Sequence, residues 1–171
     1  MNKIIILLTL LFLFINCSSN QKIAEQNNEE IKVLRYILKN SSNSSTYYKT
    51  IINDGKIPIN TYIKGEYLEF YLCSKEVDSF IKIPKQDILF LQEKFKTLSI
   101  QRLDKLLPEF KDKITKKKER FETSFISIPV LFNNNSMAIF YSLQTYGGEF
   151  KLLKKSKGEW KTICSNSVWI E

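Results

Sequence analysis

The sequence contains no histidine. That absence excludes Ser-His-Asp and Cys-His nucleophilic centres and all imidazole metal ligation. Cysteine is scarce as well. Cys17, Cys73 and Cys164 are the whole set, and the two beyond Cys17 cannot by themselves close a structural zinc site. Neither G-x-x-x-x-G-K nor G-x-G-x-x-G occurs, so no glycine-rich phosphate loop is present. Paired carboxylates of the glycosidase kind need two acids set across a cleft. Glu66 with Glu69 and Asp87 with Glu93 are the pairs to consider, and each reads more simply as a solvated strand or helix face. No cofactor and no enzymatic activity are expected.

Long apolar runs are also missing, with one short exception. Ile4 to Ile15 carries no charge and follows a single basic residue, Lys3. A bilayer-spanning helix needs roughly 20 apolar residues, so this run is too short to span and suits the apolar region of a signal peptide. An ordinary secretory signal ends in small residues. Here Phe14, Ile15 and Asn16 precede Cys17, and Ser18 and Ser19 follow.

That arrangement resembles a bacterial lipoprotein signal, in which an apolar and small-residue box ends in a cysteine that is acylated and exposed by cleavage. Phe14 stands where leucine is usual and Asn16 where glycine, alanine or serine is usual, as in the looser boxes of spirochaetes and Bacteroidota. The resemblance implies that residues 1–16 are removed and that Cys17 carries the lipid. Anchoring by more than one acyl chain holds a protein firmly, at ~0.8 kcal/mol per buried methylene. Ser18 to Gln21 carries no acid, whereas acidic residues after the cysteine mark surface export in some Bacteroidota lipoproteins. The resemblance therefore implies an outer-membrane protein facing the periplasm.

The net charge is +8, reduced by one when Lys3 leaves with the signal. A basic balance suits nucleic acid, anionic lipid or an acidic protein. Export argues against nucleic acid and leaves anionic lipid or an acidic envelope protein as partners. Residues 17–30 read as a lipid anchor and polar tether without periodicity. Residues 31–171 have the length of one ordinary domain.

Ile31, Leu34 and Leu38, broadened by Val33 and Ile37, predict a helix that stops at "NSSNSS". Short extended segments follow from Tyr47, Ile57, Glu66 and Val77, punctuated by turn residues. Both alternating sets within Tyr67 to Cys73 are apolar or aromatic, which predicts a central strand covered on both faces. Gln86 to Leu98 predicts a helix on Ile88, Leu91, Phe95 and Leu98. A second, from Leu103 to about Arg120, should break near Pro108. The last 50 residues predict four antiparallel strands in a meander, with Pro129 marking an edge or a bulge. Asn40, Asn43 and Asn134 begin glycosylation-like triplets that read here as turns.

The segment from Met137 to Glu171 resembles the C-terminal hairpin unit of uncharacterised exported proteins of Bacteroidota and related bacteria. Ala138, Tyr141, Gly147, Gly148, Gly158, Trp160, Lys161 and Trp169 carry the match. Cystatin-like, cone-shaped α+β folds share its G-x-W-K hairpin. The resemblance implies a fold and no activity, and Tyr146 stands where many relatives carry a cysteine. The fold class expected is α+β, an antiparallel and strongly curved sheet packed with two or three helices.

Three further groups of residues are candidate sites. Cys73 and Cys164 both fall in expected strands of an exported domain, which makes a disulfide one reading and two separate buried thiols the other. Lys116, Lys117, Lys118 and Arg120, within "KDKITKKKER", read as a solvated helix end or as a docking patch for anionic headgroups or an acidic protein. Tyr47, Tyr48 and Tyr62 read as half-buried packing or as the lining of a groove. The functional expectation is a lipid-anchored envelope protein acting as a binding or structural module. The alternatives are an inhibitor or immunity-type protein that caps another envelope protein, and a hydrolase of unrecognised type.

Overall fold

The computed structural model describes residues 29–42, 46–50, 63–64, 67–74, 80–117, 123–144 and 146–170. Cys17, the apolar leader, Asn43, Tyr62, Lys118 and Arg120 lie outside the described residues. Among the described residues no helix is long and apolar enough to cross a membrane.

The architecture is α+β in three layers. Helix α1 spans residues 29–40, so Glu29 and Glu30, assigned above to the tether, belong to the helix. Val33, Leu34, Ile37 and Leu38 form its buried stripe, the three- and four-residue spacing that one face of a helix requires. A large sheet of eight strands follows the order β4-β11-β10-β9-β7-β1-β6, with β8 beside β9. Its strands are β1 (Thr46–Tyr48), β4 (Leu72–Cys73), β6 (Ile114–Thr115), β7 (Thr123–Ile126), β8 (Val130–Phe132), β9 (Met137–Gln144), β10 (Gly147–Ser156) and β11 (Glu159–Ile170). A small sheet holds β2 (Ile63–Lys64), β3 (Tyr67–Phe70) and β5 (Ile81–Pro84), with β3 central.

The large sheet is mixed, because β1 runs parallel to both β6 and β7. It also ends in two unjoined edges and does not curl strongly. The wholly antiparallel, strongly curved sheet expected above is thus corrected. The parallel pairs come from a strand 66 or more positions away in sequence, which no local pattern records. From β7 onward the pairs are antiparallel: β7 and β8 with β9, β9 with β10, and β10 with β11.

Both faces of the large sheet are buried over its central strands. On one face Ile139, Tyr141, Phe150 and Leu152 pack with Leu68, Phe70 and Ile83 of the small sheet and with Ile88, Leu91 and Phe95 of α2 (Lys85–Thr97). On the other, Ala138, Phe140, Leu153 and Trp160 pack with α1 and with Leu103 and Leu107. Each such side chain contributes roughly 1.5–3 kcal/mol when fully buried. β9, not β3, is therefore the strand covered on both sides. In β3 Leu68 and Phe70 are buried, Glu69 is half-buried, and the next residue, Tyr71, is exposed.

The second helical stretch breaks next to Pro108, as expected, and gives way to a strand after Lys113. Helix α3 covers Leu103–Leu106, a 3-10 helix covers Pro108–Lys113, and Ile114 already belongs to β6. Pro108 starts the 3-10 segment, where its missing N–H costs nothing. Pro129 lies between β7 and β8, two pieces that pair along the same side of β9. Within that interruption Ser127 donates its backbone N–H to the Tyr141 carbonyl at 2.9 Å, and its hydroxyl accepts the Tyr141 N–H at 2.9 Å. A side-chain oxygen thus replaces the backbone acceptor that the break removes.

The turns are set by residues that tolerate positive φ. Asn133, Asn134 and Asn135 have φ of 50°, 52° and 58° between β8 and β9, and Lys157 and Gly158 have 51° and 84° between β10 and β11. Two successive positive φ values are what a two-residue hairpin loop demands. Gly148 is glycine for another reason. A Cβ there would run into the Tyr141 ring.

Candidate binding cleft

α1 covers only part of its face of the sheet. Along β9 the residues facing α1 begin apolar, at Ala138 and Phe140, and turn polar at Ser142 and Gln144. Beyond the C-terminal half of α1 this polar stretch floors an open cleft of about 310 Å³. Ser124 of β7, Glu149 and Lys151 of β10 and Thr162 of β11 complete the floor, and Tyr36, Asn40 and Tyr47 form the wall. A second hollow of about 260 Å³ shares Ser142, Gln144 and Glu149 and extends to Tyr146, Gly147 and Ser167.

The lining is held in place by its own hydrogen bonds. Gln144 Nε2 donates to Ser124 Oγ at 2.9 Å, and the Thr162 N–H donates to the Tyr36 hydroxyl at 3.0 Å. Asn40 Nδ2 donates to the Tyr36 carbonyl at 2.9 Å, closing the end of α1. Glu149 and Lys151 pair at 2.7 Å, each about one-third exposed. Their charges cancel, so the cleft presents hydroxyls, amides and aromatic edges with little net charge. Such a surface suits a neutral polar ligand held by several hydrogen bonds.

Of the tyrosines considered above, Tyr47 is buried and contributes to the cleft wall. Tyr48 is tilted against Phe125, with ring centroids 5.2 Å apart. The sequence reading did not single out Ser124, Ser142, Gln144 or Thr162. The signal was present in "AIFYSLQ", where one alternating set of an otherwise apolar strand changes from Ala138 and Phe140 to Ser142 and Gln144.

Cys73 and Cys164 stand opposite each other on β4 and β11 and are joined by a disulfide, with Cα atoms 3.9 Å apart. Ser74 donates its N–H to the Ile163 carbonyl at 2.7 Å beside it. The bond fastens the short β4 to the long β11 directly after the chain leaves the small sheet at Tyr71.

Lys116 and Lys117 lie in a bend after β6, at the edge of the large sheet opposite β4. They follow a strand and not a helix, so the expected placement at a negative helix terminus is corrected. A different lysine takes that role. Lys113 Nζ donates to the Leu38 carbonyl at 2.9 Å and to the Ser41 carbonyl and hydroxyl at 3.0 and 3.1 Å, capping the C-terminus of α1. Glu69 is engaged by Lys82 at 3.2 Å and by the Tyr71 hydroxyl, and Glu93 by Lys96 at 2.7 Å. Glu66 lies outside the described residues.

At the start of α1 a wider hollow of about 490 Å³ opens between Glu29, Lys32, the β8–β9 turn and the β10–β11 turn. Glu29 pairs with Lys32 at 2.6 Å and with Lys155 at 2.8 Å. Burial works to raise the Glu29 carboxyl, but the hydrogen bonds from Lys155 and Lys32 outweigh it and hold the group below the ordinary carboxylate value.

Among the described residues no group of three or more His, Cys, Asp and Glu side chains is placed to hold a metal ion. No protein-family model, no curated protein and no solved structure matches the chain.

Proposed function

We propose that this chain is a lipid-anchored binding module of a bacterial envelope, tethered through acylated Cys17 and offering the cleft beside α1 to a neutral polar ligand. The observation that carries the reading is the order of segments: a charge-free run from Ile4 to Ile15, a cysteine, a polar stretch, and a helix already formed by Glu29. That order suits a domain hung from a membrane surface on a short leash. The neutral lining of the cleft supports a binding role, since its described residues offer hydroxyls and amides as hydrogen-bond partners.

The test is metabolic labelling with a palmitate analogue in a bacterial host. The wild-type chain should take up label and partition with membranes, and Cys17→Ala should take up none. Equal labelling of the two chains, or an unlabelled wild type, overturns the anchor.

A further inference from the structure

The tip of the β10–β11 hairpin carries three exposed lysines, Lys154, Lys157 and Lys161, against one exposed acid, Glu159. Lys154 and Lys161 are direct cross-strand partners. Like charges placed directly opposite on a sheet destabilise it, so this pair works against the fold that contains it. Lys157 occupies the turn itself, at positive φ. Their neighbour Lys155 faces the other side and holds Glu29, the first described residue of α1, at 2.8 Å. The hairpin tip therefore sits beside Glu29, the described residue nearest in sequence to Cys17. Twelve residue steps separate Cys17 from Glu29 and span at most about 40 Å. A short tether of this kind holds a second contact at an effective concentration in the millimolar range.

We propose that the β10–β11 tip is a docking surface for the anionic phospholipid headgroups of the membrane that holds the anchor. Lys154, Lys157 and Lys161 meet the phosphates, and the Lys154–Lys161 repulsion is relieved when negative charge lies between them. The proposal rests on the lipid-anchor reading and adds to it an orientation: the tip faces the bilayer, while the cleft at the opposite end of β9 and β10 faces away.

The test is lysine footprinting of the full acylated protein in vesicles of phosphatidylglycerol or of phosphatidylcholine, with an amine-acetylating reagent and mass spectrometry. Lys39, exposed at the far end of α1, is the internal reference. In phosphatidylglycerol the three tip lysines should react about fivefold more slowly than in phosphatidylcholine. That protection should fade as salt shortens the Debye length from ~10 Å at 0.1 M to ~3 Å at 1 M. Lys154→Glu separates docking from folding, because it places opposite charges across the strands. It should raise Tm by about 2 °C while weakening the protection of Lys157 and Lys161. Equal reactivity of the tip lysines in the two lipids overturns the proposal, as does protection of Lys116 and Lys117 in their place. The same mass spectra report the acyl chains on Cys17. Acylation without tip protection removes only the docking surface, and a chain without acylation removes both readings.

Discussion

At the residue scale, Lys113 shows how one charge can be structural inside a run that looks merely soluble. Its ammonium reaches the Leu38 and Ser41 carbonyls at the C-terminus of α1, where the negative end of the helix dipole lies and the Ser41 hydroxyl also donates to Leu38. Lys113→Met keeps the stem and removes the charge and the donors. It should cost about 1 kcal/mol and lower Tm by about 2–4 °C, whereas Lys111→Met, at an exposed position of the same 3-10 helix, should leave Tm unchanged. Thermal melts of the two variants decide the matter, and equal Tm values would show that the cap contributes nothing. Within "KDKITKKKER" nothing in the sequence distinguishes Lys113, because its partners lie 72 and 75 positions away. The cleft residues were hidden for a related reason. A serine such as Ser142 in a strand reads as a gap in the apolar pattern until the neighbouring strands show which gaps align.

Among the elements, β4 is too short to hold itself by its own ladder bonds. It contributes two residues, Leu72 and Cys73, to the edge of the large sheet, and its disulfide closes a loop of 91 positions. A chain-entropy treatment of a loop that long gives about 4–5 kcal/mol. Reduction, or the Cys73→Ser and Cys164→Ser pair of changes, should therefore lower the denaturant midpoint markedly and loosen β4 first. Hydrogen exchange at Ser74, whose N–H bonds the Ile163 carbonyl, would report that loosening; unchanged protection after reduction would show that the ladder holds without the bond. Elements defined by local spacing were legible beforehand. α2 runs Lys85–Thr97 on Ile88, Leu91 and Phe95, close to the predicted Gln86–Leu98. Ile114 was misread because an apolar residue at helical spacing after Phe110 also suits a two-residue strand, and only its parallel partner Tyr47 decides between them.

At the scale of the whole molecule, the last two strands belong to both cores. β11 supplies Trp160 to one face and Ile163 and Cys164 to the other, and it pairs along the length of β10. A chain ending at Lys157 should lose both cores together. The expected result is an unfolding curve without a cooperative transition, and a truncated chain that still melts sharply would show that β11 is dispensable. The sequence disclosed the two-sided burial of this region through its apolar density, but not the layer order, since that depends on which distant helix covers which face. α1 packs on Ile126, Ile128, Ala138, Phe140 and Leu153, and β1 joins β7 at Thr123 and Ser124. α1 and β1 thus lean on strands far later in the sequence. A chain emerging from its N-terminus reaches Leu103, Leu107 and β6 before the larger part of the surface that covers α1 and β1, in residues 123–160, so the apolar stripe of α1 stays partly open to solvent or to a chaperone until then. Folding therefore waits on contacts between segments far apart in the sequence.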